Sequence, residues 1–311
     1  MLSIKTNTWE KLGRILKPEP SIPWISTYTG ASFALHTEGP FFDLYVTGRD
    51  SLNRSTIGRI KINIEKPNEI IEITPGPVFG LGELGAFDEN GVSYPWLVKH
   101  NGKVFMYYVG WMPTVITPFQ NHLGLAVLKN DETFERVSKA PILERNNEDY
   151  LWIGSACVLV EGNIWKMWYT SLLKWGKGSD EHKHYYVIKY AESNDGIHWV
   201  RSNQICINHK DETEYAIGKP CVVKIKDKYH MWYSYRGKEY RIGYATSYDG
   251  ISWERRDEDS GIDVSKEGWD SRAICYAHVI PYGDYLYMFY NGNDYGKEGL
   301  GVARLKYNAL L

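Results

Sequence analysis

The chain has 311 residues, enough for one large all-β domain with a sizeable core or for two smaller domains. Its formal charge of -2 leaves no basic excess to neutralise phosphates, which argues against a general nucleic-acid binder or a protein held on anionic membranes. Aromatic residues make up 14% of it, with 24 Tyr and 12 Trp, a composition that favours strands, and no apolar run reaches the ~18 residues of a membrane span.

The opening segment, MLSIKTNTWEKLGRILKPEP (residues 1–20), lacks the apolar core and small-residue cleavage site of a secretory signal. It is expected to cap the domain or to supply a closing strand. From residue 28 onward the chain repeats one formula. Apolar runs open at Phe33, Pro95, Ala156, Pro220 and Ala277, and eleven residues after each comes LYVT, MYYV, MWYT, MWYS or MFYN. A polar turn separates each pair of runs. A variable loop and a third run follow: STIGRIKI, HLGLAVL, YVIKYAES, RIGYATS and EGLGVARL. Five units therefore begin near residues 28, 88, 150, 213 and 270, each with three clear strands and an expected fourth. Strand, hairpin, strand, turn, strand at this spacing is the pattern of a propeller blade. The expected fold is all-β, a single five-bladed β-propeller across residues 1–311 with a short N-terminal extension.

Two of the turns are nearly identical, Ser193–Trp199 and Ser247–Trp253, both reading Ser-x-Asp-Gly-Ile-x-Trp. Asp195 and Asp249 are expected to accept backbone N–H bonds there, with Trp199 and Trp253 packed between sheets. The four cysteines, Cys157, Cys206, Cys221 and Cys275, are widely spaced without a CxxC pair, so no zinc or redox motif is read; Cys157, Cys221 and Cys275 sit inside apolar runs and are expected to be buried thiols of a cytoplasmic protein. The longest polar insertion, KWGKGSDEHKHYY (Lys174–Tyr186), reads as a lid or a subunit contact; its His182 and His184 are too few for a metal centre. No cofactor and no metal is implied.

In a propeller the first strand of each blade lines the central channel, and the segments leading into it share a face with the loops joining second and third strands. Acidic residues recur in those segments. Asp88, Asp149 and Asp270 each stand seven before the aligned position, and Glu214 stands six before. They either brace the same turn in each blade or converge on a ligand. The same face carries Arg49, Asp50, Arg236, Asn293 and Asp294 from loops, and Tyr94, Trp152, Lys219, Arg272, Tyr276 and His278 at or near strand starts. Lys219 stands out, because an ammonium among apolar residues needs a counter-charge or a polar channel. Carboxylates, Arg, Asn and aromatics together suit a carbohydrate, and cleaving a glycosidic bond needs one carboxylic acid and one carboxylate. Glu214 and Asp270 are cast as acid and base, with Asp50 or Asp88 assisting. Arg49, Arg236 and Arg272 would orient the substrate, and Tyr94, Trp152 and Tyr276 would form its apolar walls. Asp149, Lys219, His278, Asn293 and Asp294 would add polar contacts.

The blade formula, clearest in GKPCVVKIKDKYHMWYSYR and WDSRAICYAHVIPYGDYLYMFYNG, resembles the five-bladed propeller glycoside hydrolases over residues 28 to 306. That superfamily includes arabinanase/xylosidase, invertase/levansucrase and mannoside-phosphorylase families. More narrowly the chain looks like bacterial glycosidase-like proteins found with surface-polysaccharide genes. The resemblance implies an enzyme acting on a glycosidic bond or an activated sugar, by hydrolysis, phosphorolysis or transfer. It also implies an oligosaccharide or small-molecule partner, with no nucleic acid and no membrane insertion. The chain departs from the family's catalytic motifs, and its Arg49-Asp50 matches the invertase-like Arg-Asp-Pro only without the Pro and after the second strand. Arabinanase-like enzymes carry an Asp directly before the first-blade Pro, where this chain reads GASFAL. That departure keeps a second reading open, a non-catalytic carbohydrate-binding or scaffold propeller in polysaccharide synthesis.

Overall fold

The computed structural model describes residues 8–130, 132–177 and 183–306, and these are almost entirely strand, turn and loop. Residues 178–182, including His182 of the polar insertion, lie outside the described residues. Alternating apolar and polar residues fold into antiparallel meanders of four strands. The first holds β2 (Tyr28–His36), β3 (Phe41–Arg49), β4 (Ser55–Asn63) and β5 (Ile70–Ile73), and the second β6 (Gly91–His100), β7 (Lys103–Pro113), β8 (Phe119–Leu128) and β9 (Phe134–Arg136). Next come β10 (Ile153–Glu161) to β13 (Val200–Ile207), through β11 (Ile164–Trp175) and β12 (His184–Ser193). They are followed by β14 (Ala216–Ile225), β15 (Lys228–Arg236), β16 (Tyr240–Ser247) and β17 (Glu254–Arg255). The last sheet joins β18 (Cys275–Tyr282), β19 (Tyr285–Asn291) and β20 (Leu300–Lys306) to β1 (Glu10–Leu16), which pairs antiparallel with β20. The opening segment thus supplies an outer strand to the C-terminal sheet.

Aromatic side chains fill the space between meanders. The Asp-Gly turns show how. Asp195 Oδ1 accepts the amides of Ile197 and His198, both at 2.8 Å, and Asp249 Oδ1 those of Ile251 and Ser252 at 2.7 and 2.8 Å. Each turn then offers a carbonyl to the preceding meander: Tyr107 donates to Gly196 O and Trp168 Nε1 to Gly250 O, both at 2.7 Å. Trp199 and Trp253 pack against those same two donors. All four cysteines are buried and free.

A second repeated device sets the innermost strands. Pairing is interrupted at the same place in each: between Thr29 and Ser32, Ser93 and Trp96, Ile153 and Ala156, Gly218 and Cys221, and Cys275 and His278. These are β-bulges, which re-aim side chains next to sites. Three bulges hold a non-glycine residue in the left-handed region, Tyr94 (φ 53°), Lys219 (φ 51°) and Tyr276 (φ 60°). A hydroxyl on the neighbouring meander takes the amide of each: Thr47 Oγ1 at 3.1 Å, Ser155 Oγ at 3.1 Å and Ser234 Oγ at 2.8 Å.

Candidate functional site

The bulged strand starts open onto a cavity of about 480 Å³. Of the residues anticipated for a site, Arg49, Tyr94, Trp152, Lys219 and Tyr276 line it. Its walls are mostly aromatic: Tyr28, Tyr94, Trp111, Phe119, Trp152, Tyr186, Tyr240, Tyr276 and Tyr295. The hydroxyls of Tyr186 and Tyr240 lie 2.5 Å apart. Burial raises the pKa of both, so these phenols stay protonated and available as donors. Polar lining comes from Thr47, Asn53, Ser93, Asn121, Ser155, Thr170 and His184.

Two cations reach the cavity. Arg49 donates to Asn53 Oδ1 at 2.8 Å and lies over the rings of Tyr28 and Trp111, 5.0 and 5.5 Å from their centroids. Lys219 is 2% exposed, its Nζ makes no hydrogen bond, and the Trp96 ring centroid lies 5.4 Å away. Burial lowers its pKa. Among the described residues that line the cavity none is Asp or Glu.

The carboxylates expected to carry chemistry lie elsewhere, each bound to a cation of its own meander or of β1. Asp88 accepts from Tyr108 at 3.0 Å and from Arg136 Nε at 2.8 Å. Asp149 accepts from Tyr169 and Lys189 at 2.8 Å, Ser171 at 2.6 Å and Arg201 at 3.2 Å. Glu214 holds Arg255 through both oxygens, at 2.7 and 2.8 Å. Asp270 accepts from Tyr290 at 2.9 Å and from Lys11 at 2.7 Å. All four are buried. Asp50 caps its own loop, taking the amides of Leu52 and Arg54 at 2.9 Å and pairing with the Arg54 side chain. Of the two readings open for the repeated acids, this geometry is that of a brace, and Glu214, Asp270, Asp88 and Asp50 are not among the residues that line the cavity.

Other expectations are displaced in the same way. Arg272 pairs with Asp294 and Glu298 on the surface. Asn293 is a buried hub that accepts the amides of Arg272 and Ala273 and donates to Gly268 O. Asp294 offers its carbonyl to the Tyr28 hydroxyl. Arg236 stands behind the wall, donating to the Tyr295 hydroxyl, with its guanidinium 5.4 Å from the ring centroids of Tyr215, Tyr240 and Tyr295. His278 is buried, its ring tilted against Phe33 with centroids 4.2 Å apart and its Nδ1 3.9 Å from Cys221 Sγ. Burial first, and then the charge of Lys219, hold its pKa well below the usual imidazole value.

Asn121, Tyr186 and Tyr240 were not anticipated, although a signal for them existed. Each stands three residues before the position where the third strand carries Gly124, Lys189 or Gly243. The glycine is needed because the middle-strand tyrosine crosses it. A Cβ at Gly124 would sit 2.3 Å from Tyr108 Cζ. Three residues upstream, each third strand lines the cavity.

The family description of a β-1,4-mannooligosaccharide phosphorylase, glycoside hydrolase family 130, matches residues 154–293. A Bacteroides ovatus glycosyl hydrolase superposes with a TM-score of 0.76 at 13% identity, covering 97% of this chain and 94% of that chain. A structure from the family-130 mannoside phosphorylases, which contain glycoside hydrolases targeting β-1,2 mannosidic linkages in Candida mannan, gives a TM-score of 0.74 at 14% identity, covering 99% and 96%. The likeness to these solved structures is one of fold, an all-β, propeller-like architecture, and the family match over residues 154–293 is to a glycoside hydrolase- and phosphorylase-like description. Two Mycobacterium tuberculosis proteins, Uncharacterized protein MT1551 and Uncharacterized protein Rv1502, are 37% and 36% identical over 298 residues, 96% of this chain and 99% of each relative. The chain belongs to the family of these two proteins.

Proposed function

We propose that the aromatic cavity binds a glycosyl unit and that its glycosidic or activated bond is acted on there, by phosphorolysis or transfer rather than by hydrolysis. The observation that carries this reading is the lining itself. Flat aromatic walls suit the C–H faces of a sugar, hydroxyls and amides suit its hydroxyl groups, and the carboxylate pair that glycoside hydrolysis uses is not among the described lining residues. The tyrosine pair of β12 and β16 and the His184 imidazole then offer hydrogen-bonding groups to the ligand from the cavity wall. The five meanders act as five blades beginning near residues 28, 88, 150, 213 and 270, with β1 closing the last of them in one domain. Four buried free thiols suit a reducing, cytoplasmic setting.

The test is a product assay with mannose- and glucose-containing oligosaccharides and with sugar phosphates, each with and without inorganic phosphate. Tyr240→Phe is expected to cut turnover by about 10²-fold with the melting temperature little changed. Glu214→Gln and Asp270→Asn should instead lower the melting temperature, with turnover following the folded fraction. A folded, stable Glu214→Gln protein without turnover would restore Glu214 to catalysis. Calorimetric binding with no product over long incubation would turn the reading into that of a carbohydrate-binding module.

A further inference from the structure

Removing an ammonium from water without a counter-charge is costly, and such a group set in a cleft marks a candidate functional site. Lys219 is in that state. It lines the cavity at 2% exposure, its Nζ has no hydrogen-bond partner, and the ionisable groups that act on it are the thiols of Cys221 and Cys157 and the imidazole of His278, none of them a counter-charge. Its backbone adds to the cost. A φ of 51° is uncommon for a residue with a side chain, and such strain gathers at functional positions. Tyr94 and Tyr276 take the same conformation at the equivalent bulges and also line the cavity, so three strained side chains converge and Lys219 is the charged one. A second orphaned donor, Trp152 Nε1, belongs to the same lining. Arg49, also in the lining, is held by neutral Asn53 and two aromatic faces.

We propose that the sugar bound here carries its own negative charge, a carboxylate or a phosphate ester, and that Lys219 is the residue that recognises it. This rests on the carbohydrate reading above and narrows it to acidic or phosphorylated sugars. An ammonium is a compact point charge with three donors, so it accepts a carboxylate or a phosphate oxygen without demanding a planar fork. In the pair both charges are matched inside a low-dielectric site, where charge-assisted hydrogen bonds are strongest. The anion also raises the proton affinity of Lys219, so binding draws a proton from solution to whatever extent the amine is neutral beforehand.

Calorimetry on the full chain separates the possibilities. Glucuronic acid, mannose 1-phosphate and mannose 6-phosphate are titrated beside glucose and mannose, and inorganic phosphate is titrated alone. At least one charged sugar is expected to bind roughly 10- to 100-fold more tightly than its neutral parent, with the preference falling as salt is raised. Lys219→Met should erase that difference. If Lys219→Met does not fold, the wild-type protein still decides, through the affinity of each charged sugar set against its neutral parent and the fall of that preference as salt is raised. Neutral and charged sugars binding equally well would overturn the proposal and leave the carbohydrate reading standing. Inorganic phosphate binding as tightly as the sugar phosphates would also overturn it, assigning Lys219 to a free co-substrate. No sugar of either kind binding would remove both readings.

Discussion

At the scale of single residues, one arrangement recurs wherever the chain carries an acid ahead of an inner strand. A middle-strand tyrosine and a cation from β1 or from an outer strand close on the carboxylate, as Tyr108 and Arg136 do on Asp88, and Tyr290 and Lys11 on Asp270. Glu214 is the variant, with Tyr233 turned to Asp257 at 2.5 Å and Arg255 bridging both acids. The third meander varies too: Lys189 stands where others have glycine, and its Nζ reaches Asp149 at 2.8 Å. Removing one partner of a buried pair leaves the other charge uncompensated, so Asp149→Asn is expected to cost about 3–5 kcal/mol, measured by urea denaturation. Burial by itself would raise the Asp149 pKa, but hydrogen bonds from Lys189, Ser171 and Tyr169 and the charge of Lys189 bring it below the usual carboxylate value. A pKa lower in the folded state gives stability that is complete above the unfolded carboxylate pKa and is lost as pH falls through the folded value. The Asn variant should therefore show a flatter acid limb than the wild type.

Among the elements, β1 has the most leverage. It lies far in sequence from its partner β20, and Lys11 carries the cation that matches Asp270. Just before it, Trp9 packs edge-on to Trp232 at 5.9 Å and donates to Ser260 O at 3.0 Å, tying the N-terminus to the fourth meander. Lys11→Met is expected to cost about 3 kcal/mol, and a chain starting at residue 18 should lose more, because it also exposes the edge of β20. Thermal unfolding followed by circular dichroism checks both; an unchanged midpoint in the shortened chain would show that β1 is an ornament of the sheet. The bulges are the other decisive element. They turn Tyr94, Lys219 and Tyr276 from a strand face toward the cavity, and nothing in the alternation of apolar and polar residues announces them.

For the whole molecule, burial of imidazoles sets the response to acid. His122, His209, His230 and His278 all have pKa values lowered by burial, that of His230 to about 4, with the charge of Lys228 adding to the effect. Each must gain a proton that the folded state refuses. Stability is thus expected to hold above about pH 6.5 and to fall between there and about pH 4. His230 accepts or donates at 2.5 Å to the Tyr244 hydroxyl, so His230→Gln keeps a polar partner there while removing the titration. Denaturation midpoints measured across that range should fall less steeply in the variant, and equal slopes would assign the acid response to other groups.

The repeated formula made the all-β, repeating architecture legible, because strand periodicity, Asp-Gly turns and the eleven-residue spacing are local properties of the chain. Arg49, Tyr94, Trp152, Lys219 and Tyr276 were legible for the same reason: they sit at or beside the ends of recognisable strands. Whether a carboxylate at such an end faces a ligand or a cation was not legible. Asp88 and Asp149 have the right spacing for either role, and the choice falls to Arg136, Lys189 and Arg201, some 40 to 50 positions away in sequence and within 3.2 Å in space. Tyr186 and Tyr240 likewise became neighbours only when two meanders closed on one another. Strand and turn are decided by a few adjacent residues, so sequence alone determined them. Charge pairing and cavity lining are decided by contacts between meanders, and only the tertiary structure brought those together.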